Sequence, residues 1–327
     1  MDVEDGGRGR RRAPVAVLLK TWNTPECTQL CLAALGEAEL LPTELVVVDL
    51  GEDEATRSYA ARLAERTGIT LRWRPIGRRI APGEANRLAL AEASSPLICL
   101  LDSDVLVPRS WLAPTLALLA DPEVGLVAPI RPDPFLVHPD AGATASTEAA
   151  LDAVKSTGAP FGEVADRYTG GRSLEAFGRA VAEANGLDRV AAVGFPSFLS
   201  SCCLLFDRST IDEAGGVADP LFDGGYGSED VDLSWRVMHA GYRSVRTSDV
   251  FVLHFRHASL DANGIDREAE LRAANRLLYR RWRKRLLAWA AERRRAGDSL
   301  EDLARRFIVR ELVRNTSFGA DLEAALA

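Results

Sequence analysis

Four short apolar runs, each followed by a segment of helical period, fix the fold class of this chain. The runs are PVAVLLKTW (14–22), ELVVVDL (44–50), ITLRWRPI (69–76) and SPLICLLDSD (95–104). Each has strand length and falls far short of the roughly 20 apolar residues that cross a membrane. Between them lie 26–39, with Leu30, Ala34 and Leu35 at helical spacing, then 54–67 and 83–93. Thr24 as N-cap with Pro25 at the first helical position marks the first of these starts. Strands alternating with helices imply a mostly parallel α/β sheet sandwiched by helices. Ligands of such sheets bind beyond the carboxyl ends of the strands. Thr21, Trp22 and Asn23 fall there, then Asp49, then the Asp102-Ser103-Asp104 motif.

The second half is less regular. WLAPTLALLA and GLVAPI add a helix and a strand over 105–128. Residues 131–195 are rich in Pro, Gly, Ala and Asp, with helical segments only near 146–156 and 173–185, and read as a long insertion of the lid or substrate-loop kind. SFLSSCCLLFD (197–207) reads as a strand, followed by a helix from 209. The loop DPLFDGGYGSED (219–230) opens the helix VDLSWRVMHAG, which Gly241 closes. YRSVRT and VFVLHF read as two short strands, and everything from about 263 as helix.

Charge excludes one function class and divides the chain. Of 327 residues, 40 are Lys or Arg and 47 Asp or Glu, a net of −7, which does not suit wholesale nucleic-acid binding. Residues 263–327 hold 15 basic and 10 acidic side chains, so the rest carries −12. In that tail Leu271, Ala274, Leu278, Trp282, Leu286 and Trp289 recur at helical spacing, with Arg272, Arg276, Arg280 and Arg283 on other faces. Such a stripe docks on the body of the protein or lies on an anionic membrane. No apolar stretch follows the arginines of the first 14 residues, so no secretory signal is expected. Five cysteines, an odd number without framework spacing, read as free thiols in a reducing compartment.

Three constellations carry chemistry. Asp102 and Asp104 sit two apart at the end of an apolar strand, a spacing that turns both carboxylates toward one hard cation. Glu229 and Asp230 fall in the first turn of a helix entered through Gly224, Gly225 and Gly227. The helix dipole favours negative charge there, and Ser228 is placed to cap it. A carboxylate at that position also suits a general base. His254 ends the run VFVL, and His257 follows three residues later; an imidazole beside paired carboxylates suits Mn²⁺ or Mg²⁺.

The ordered set of motifs resembles the family 2 glycosyltransferases of the GT-A fold over about 14–282. It comprises the strand ending in Trp22-Asn23, VVVDLGEDEAT (46–56), GEANRLALA (83–91), LLDSDV (100–105), GSEDVDLSWRVMHAGYR (227–243) and VLHFRHAS (252–259). The resemblance implies inverting transfer of a sugar from a UDP-, GDP- or dTDP-sugar, with Mn²⁺ or Mg²⁺ held by the Asp-x-Asp motif. It makes Asp49 the reader of the nucleobase, Asp102 a contact of ribose and metal shell, Asp104 the direct metal ligand and His254 the completion of that shell, with His257 as fallback. Asp230 becomes the base beside Glu229, and Thr21, Trp22, Asn23, Asn86, Arg87 and Ser103 line the donor site. Arg78, Arg79 and Arg87 bracket the loop before helix 83–93 and stand ready for the diphosphate. The sequence departs from the family pattern at Leu50, Glu52 and Leu88, and at Lys20 in place of a small residue. On this reading 1–13 is a flexible leader, 14–262 the GT-A domain (14–128 for the nucleotide sugar, 129–262 for the acceptor) and 263–327 a basic helical extension.

A nucleotidylyltransferase would need a glycine-rich loop after the first strand, and KTWNTPE has none. A non-catalytic carbohydrate-binding relative would be expected to lack one of Asp102, Asp104, Asp230 or His254. The acceptor class (glycan, lipid-linked, natural product or peptide) and a homo-oligomer stay open, in a cytoplasmic or membrane-peripheral setting.

Overall fold

The computed structural model describes residues 11–140 and 145–326. Residues 1–10 of the expected leader and 141–144 of the insertion lie outside that range. The first half alternates as the sequence implies: β1 (Arg11–Thr21), α1 (Pro25–Gly36), β2 (Leu40–Asp49), α2 (Glu54–Thr67), β3 (Thr70–Pro75), α3 (Pro82–Glu92) and β4 (Leu97–Asp102). After it come β5 (Val105–Leu106), α4 (Leu112–Leu119), β6 (Val124–Ile130), α5 (Thr147–Lys155), α6 (Phe161–Thr169), α7 (Leu174–Ala184) and β7 (Val190–Val193). Then follow β8 (Cys203–Asp207), α8 (Arg208–Glu213), α9 (Glu229–His239), β9 (Arg243–Phe251), β10 (Leu253–His254) and α10 (Ala258–Ala262). The chain closes with α11 (Arg267–Arg295), α12 (Leu300–Ala304), α13 (Phe307–Asn315) and α14 (Phe318–Leu326).

Eight strands form one sheet in the order β3-β2-β1-β4-β8-β6-β9-β7. β3, β2, β1 and β4 are parallel, as are β6 and β9, while β8 and β7 run against their neighbours. Both faces are covered. Val15, Val17 and Leu19 of β1 join one apolar cluster with Cys31, Leu32 and Leu35 of α1, and Ala16 and Leu18 join another with Ala85 and Ala89 of α3. This period-2 alternation decides where the next two side chains go. Lys20 continues the α3 face and Thr21 the α1 face.

Four expectations need correction. The leader gives way to strand at Arg11, because β2 reaches back to Leu40 and pairs with it. The run 197–207 is strand only from Cys203; α9 serves the polar backbone before it, with Ser234 Oγ bonded to both Leu199 N and O, and Trp235 Nε1 donating to Pro196 O. YRSVRT and VFVLHF divide later than expected, since β9 runs through 243–251 with partners on both sides, β6 and β7, and leaves only 253–254 to β10. The insertion is no bare loop. It contains a third helix, α6, and its Leu151, Val164, Tyr168 and Phe177 pack with Phe251 and Phe255 in a cluster of their own.

The tail docks on the body. Leu278, Trp282 and Leu286 of α11 are buried with Trp235 of α9 and Phe222 before it. Asp232, fully buried, fixes the joint: it accepts from Trp282 Nε1 (2.8 Å) and Arg236 Nε (2.7 Å) and is ion-paired with Arg281 (2.7 Å). The stripe that would have lain on a membrane therefore faces protein. No helix among the described residues is long and apolar enough to cross a membrane.

Candidate active site

β1 and β4 are parallel neighbours, and their register pairs Lys20 with Asp102. Both fall on the α3 face, so Lys20 Nζ reaches Asp102 Oδ1 at 2.9 Å and Asn86 Oδ1 of α3 at 3.2 Å. Burial alone would lower the ammonium's pKa, but Asp102 beside it raises it above the ordinary value. Beyond Asp102 the chain turns through Ser103 and Asp104 into β5, which pairs with β10 in a two-stranded ribbon that sets His254 opposite Val105. That register delivers the histidine to the carboxylates. His254 Nε2 lies 3.2 Å from Asp104 Oδ1 and 3.8 Å from Asp102 Oδ2. Asp104 is further pinned by the next segment, Phe255 N donating to its carbonyl (2.9 Å) and Ala258 N to Oδ2 (3.3 Å).

Oxygen and nitrogen donors of Asp102, Asp104 and His254 lie within 4.8 Å of one another, a set that fits one Mn²⁺ or Mg²⁺. Without the ion the trio is an ion-pair cluster. Burial disfavours a charged imidazole, yet Asp104 against it pushes His254 up to about 10, and Asp104 falls below the usual carboxylate range in return. His257, the fallback ligand, stands outside this set. Burial, then Arg256 and Arg267, push it down to about 3 and hold it neutral.

Glu229 and Asp230 open α9, as expected, but Ser228 does not cap it. Its backbone is left-handed, and its hydroxyl meets Asn275 of α11. The preceding Gly227 is left-handed too (φ +104°) and lies flat on Leu271, where a Cβ would come within 3.0 Å. Burial and then the adjacent Asp230 push Glu229 up to about 7, and burial raises Asp230. Asp230 Oδ1 accepts from Val231 N (2.8 Å) and Oδ2 faces Ser201 N (3.4 Å).

Two cavities meet at this point and share Lys20, Asp102, Tyr226 and His254 as walls. The smaller, of about 80 Å³, lies against the ends of β1 and β4 and is lined by Thr21, Trp22, Leu50, Arg79, Ser103 and Asp104. The larger, of about 460 Å³, extends past Glu229 and Asp230.

Other residues expected at the donor site have polar partners within the chain. Asp49 is buried, its oxygens accepting from Gly51 N (3.0 Å) and Asp53 N (3.1 Å), so it shapes the loop after β2 and lines neither cavity. Asn86 sits behind Lys20, and Arg87 is ion-paired to Asp223 at 2.6 Å. Asn23 turns to Asn263 Oδ1 (2.6 Å), packed so closely on Gly51 that a Cβ there would lie 2.3 Å from its Oδ1. Arg78 is drawn to Glu84 and Arg79 to Glu270, although Arg79 stays in the smaller cavity over the ring of Trp22. Sequence reasoning left the partner of Lys20 open, pointed to 131–200 and the loop 222–228 for the acceptor, where Arg131 and Tyr226 do line the larger cavity, and missed the walls that the tail adds at Arg305, Arg306, Phe307 and Ile308. Their positions depend on long-range packing and leave no periodic trace.

Comparison with known proteins bears on the fold. Residues 16–143 match the family model described as Glycosyl transferase family 2. A mannosyltransferase from Pyrobaculum calidifontis, solved with GDP-Man and Mn²⁺, superposes with a TM-score of 0.52 at 20% identity, over 96% of this chain and 72% of that one. GalNAc-T7, solved with UDP, GalNAc and Mn²⁺, superposes at 0.50 with 14% identity, over 73% of this chain and 42% of the other. No curated protein matches the chain in sequence.

Proposed function

We propose that this chain, a family 2 glycosyltransferase of the GT-A fold that acts on a nucleotide sugar, transfers a single sugar by direct displacement with inversion, Asp230 serving as base. The observation that carries the reading is the meeting of two unlike carboxylate sets in one cleft. Asp102 and Asp104 share His254 at the end of β4, and Glu229 and Asp230 face the adjoining cavity with raised pKa values. Carboxylates whose environments push them apart in this way divide into charge-holding and proton-accepting roles.

Asp102, Asp104 and His254 would hold the divalent ion. Once bound, Mn²⁺ or Mg²⁺ offsets the charge that develops on the diphosphate as the bond to the anomeric carbon breaks. The chain contributes the rest. Thr21, Trp22, Leu50 and Ser103 wall the nucleotide side, and Lys20 and Arg79 supply fixed positive charge there. Asp230, raised by burial yet reached by the amides of Val231 and Ser201, accepts the acceptor proton while the acceptor oxygen attacks. We place the reaction in the cytoplasm, where the five buried free thiols stay reduced. The catalytic unit is residues 11–262, and the C-terminal helices brace it.

The similar solved structures carry GDP-Man or UDP together with Mn²⁺, so the test begins with GDP-mannose and UDP-sugars. A nucleotide-sugar panel with Mn²⁺ or Mg²⁺, scored by release of nucleoside diphosphate, is expected to single out one donor. Release from none of the donors, with no calorimetric binding of any nucleotide, would overturn the proposal.

A further inference from the structure

The larger cavity has acidic residues at its floor and, at its rim, three aromatic side chains set among charged ones (Asp133, Arg305, Arg306 and Glu311) that the transfer chemistry does not require. At the floor stand Asp230 and Glu229. The rim is assembled from three distant segments: Phe135 from the insertion, Phe198 from the stretch before β8, and Phe307 from the first turn of α13 in the tail. The rings of Phe198 and Phe307 lie 6.5 Å apart by centroid. The Arg310 guanidinium lies 5.4 Å from Phe307 and 5.8 Å from Phe135, joining them in one shelf.

Two features separate this shelf from ordinary packing. Among the described residues the exposed large hydrophobics are Phe135 (54%), Val190 (42%) and Phe307 (41%), and two of the three stand at this one mouth. The neighbours of Phe307 on α13, Ile308, Val309 and Leu312, are buried and hold the helix in place without it. Exposed aromatic surface leading into a cavity of about 460 Å³, the size range of small-molecule sites, marks a ligand.

The side-chain chemistry narrows the ligand class. All three rings are phenylalanine, with no hydroxyl or N–H, so the shelf offers stacking but no hydrogen bond, and a glycan seated there would have to place its hydroxyls on charged neighbours such as Asp133, Glu148, Arg305 and Glu311. A flat apolar ring system loses nothing there and gains stacking. Arg131 lines the same cavity as Asp230 and forms no ion pair among the described residues.

We propose that this shelf is the acceptor subsite, and that the acceptor is a discrete molecule bearing its hydroxyl on an aromatic frame, a phenol or aromatic alcohol, rather than the end of a glycan. The inference rests on the proposed glycosyl transfer. The acceptor O–H gives its proton to the Asp230 carboxylate as the oxygen bonds to the anomeric carbon. The bond from that carbon to the donor phosphate breaks, and the nucleoside diphosphate leaves with the electron pair. The tail thus helps select the acceptor, through Phe307.

The test uses the full chain and 2-naphthol. Its fluorescence reports binding without turnover, and its hydroxyl accepts a sugar. Binding is expected, weakened about tenfold in Phe307→Ala and restored in Phe307→Tyr. With the donor from the panel, Phe307→Ala is expected to raise the acceptor KM about tenfold. Failure of 2-naphthol to bind, or equal binding by wild type and Phe307→Ala, overturns the assignment. So does transfer to methyl glycosides but not to 2-naphthol. In each case donor hydrolysis, read separately, shows whether the glycosyl-transfer reading itself stands.

Discussion

Lys20 Nζ lies 2.9 Å from Asp102 Oδ1, so one carboxylate of the metal-competent trio already faces a cation of the chain's own. The contact follows from strand register, which makes the two residues direct partners on one sheet face. At such distances a unit-charge interaction is worth about 4 kcal/mol in a half-wet protein site. Lys20→Met is expected to tighten Mn²⁺ binding to the nucleotide-free protein by about tenfold, a conservative share of that energy. Manganese electron paramagnetic resonance reads the free ion directly. Unchanged or weaker binding would show that the ammonium does not compete.

Asp230→Asn keeps the size of the side chain and removes its basicity. Transfer is expected to fall by about 10²–10⁴-fold while donor affinity by calorimetry stays within about threefold. A variant with near-wild-type turnover would remove Asp230 from the role of base.

Glu229 makes a pH prediction with a definite sign. Its pKa rises from the ordinary 4.5 to about 7, pushed by burial and by Asp230 beside it. Folding therefore favours its neutral form. The contribution is fully present below pH 4.5 and is lost as pH rises through 7. Above that, the charged carboxylate is a burden that Glu229→Gln removes. Thermal unfolding is expected to show the variant stabilised at pH 8.5, by about 1 kcal/mol or more, roughly 2 °C upward in Tm, and little changed at pH 5. Equal differences at both pH values would contradict the assignment.

Asp232 is the joint between body and tail, and it holds two hydrogen-bond donors and the Arg281 guanidinium at once. Asp232→Ala leaves Arg236, Arg281 and the Trp282 N–H without it. The expected loss is about 3–5 kcal/mol in denaturant unfolding, the range for breaking a buried charged contact from one side. A loss under about 1 kcal/mol would mean that the apolar cluster around Trp282 holds the tail unaided.

The apolar stripe of α11 faces Trp235 and Phe222. Full-length protein is therefore expected to stay at the bottom of a flotation gradient with vesicles rich in phosphatidylglycerol. Tail-dependent flotation would restore the membrane reading.

What was legible in the sequence was what local pattern encodes. The alternation of strand and helix, the acidic end of β4, the acidic start of α9 and the histidine after VFVL all carry their signal within a few residues. The donor contacts expected at Asn23, Asp49, Asn86 and Arg87 show the limit. Each lies near the nucleotide end of the sheet, but Asn263, two backbone amides, Lys20 and Asp223 engage their polar groups. A side chain at the right strand end still faces competition from partners up to 240 residues away, and local sequence does not reveal which wins.

The net charge of −7 shows the same division. Sequence alone determined that an acidic body precedes a basic tail, and that two carboxylates end an apolar strand, because composition and periodicity are properties of neighbouring residues. Only the tertiary structure decided that Lys20 faces Asp102, that β10 carries His254 to Asp104, and that the tail sets Phe307 beside the larger cavity. Those are pairings between distant segments, fixed by strand register and by the burial of Trp282 against Trp235, and they exist only once the chain has closed on itself.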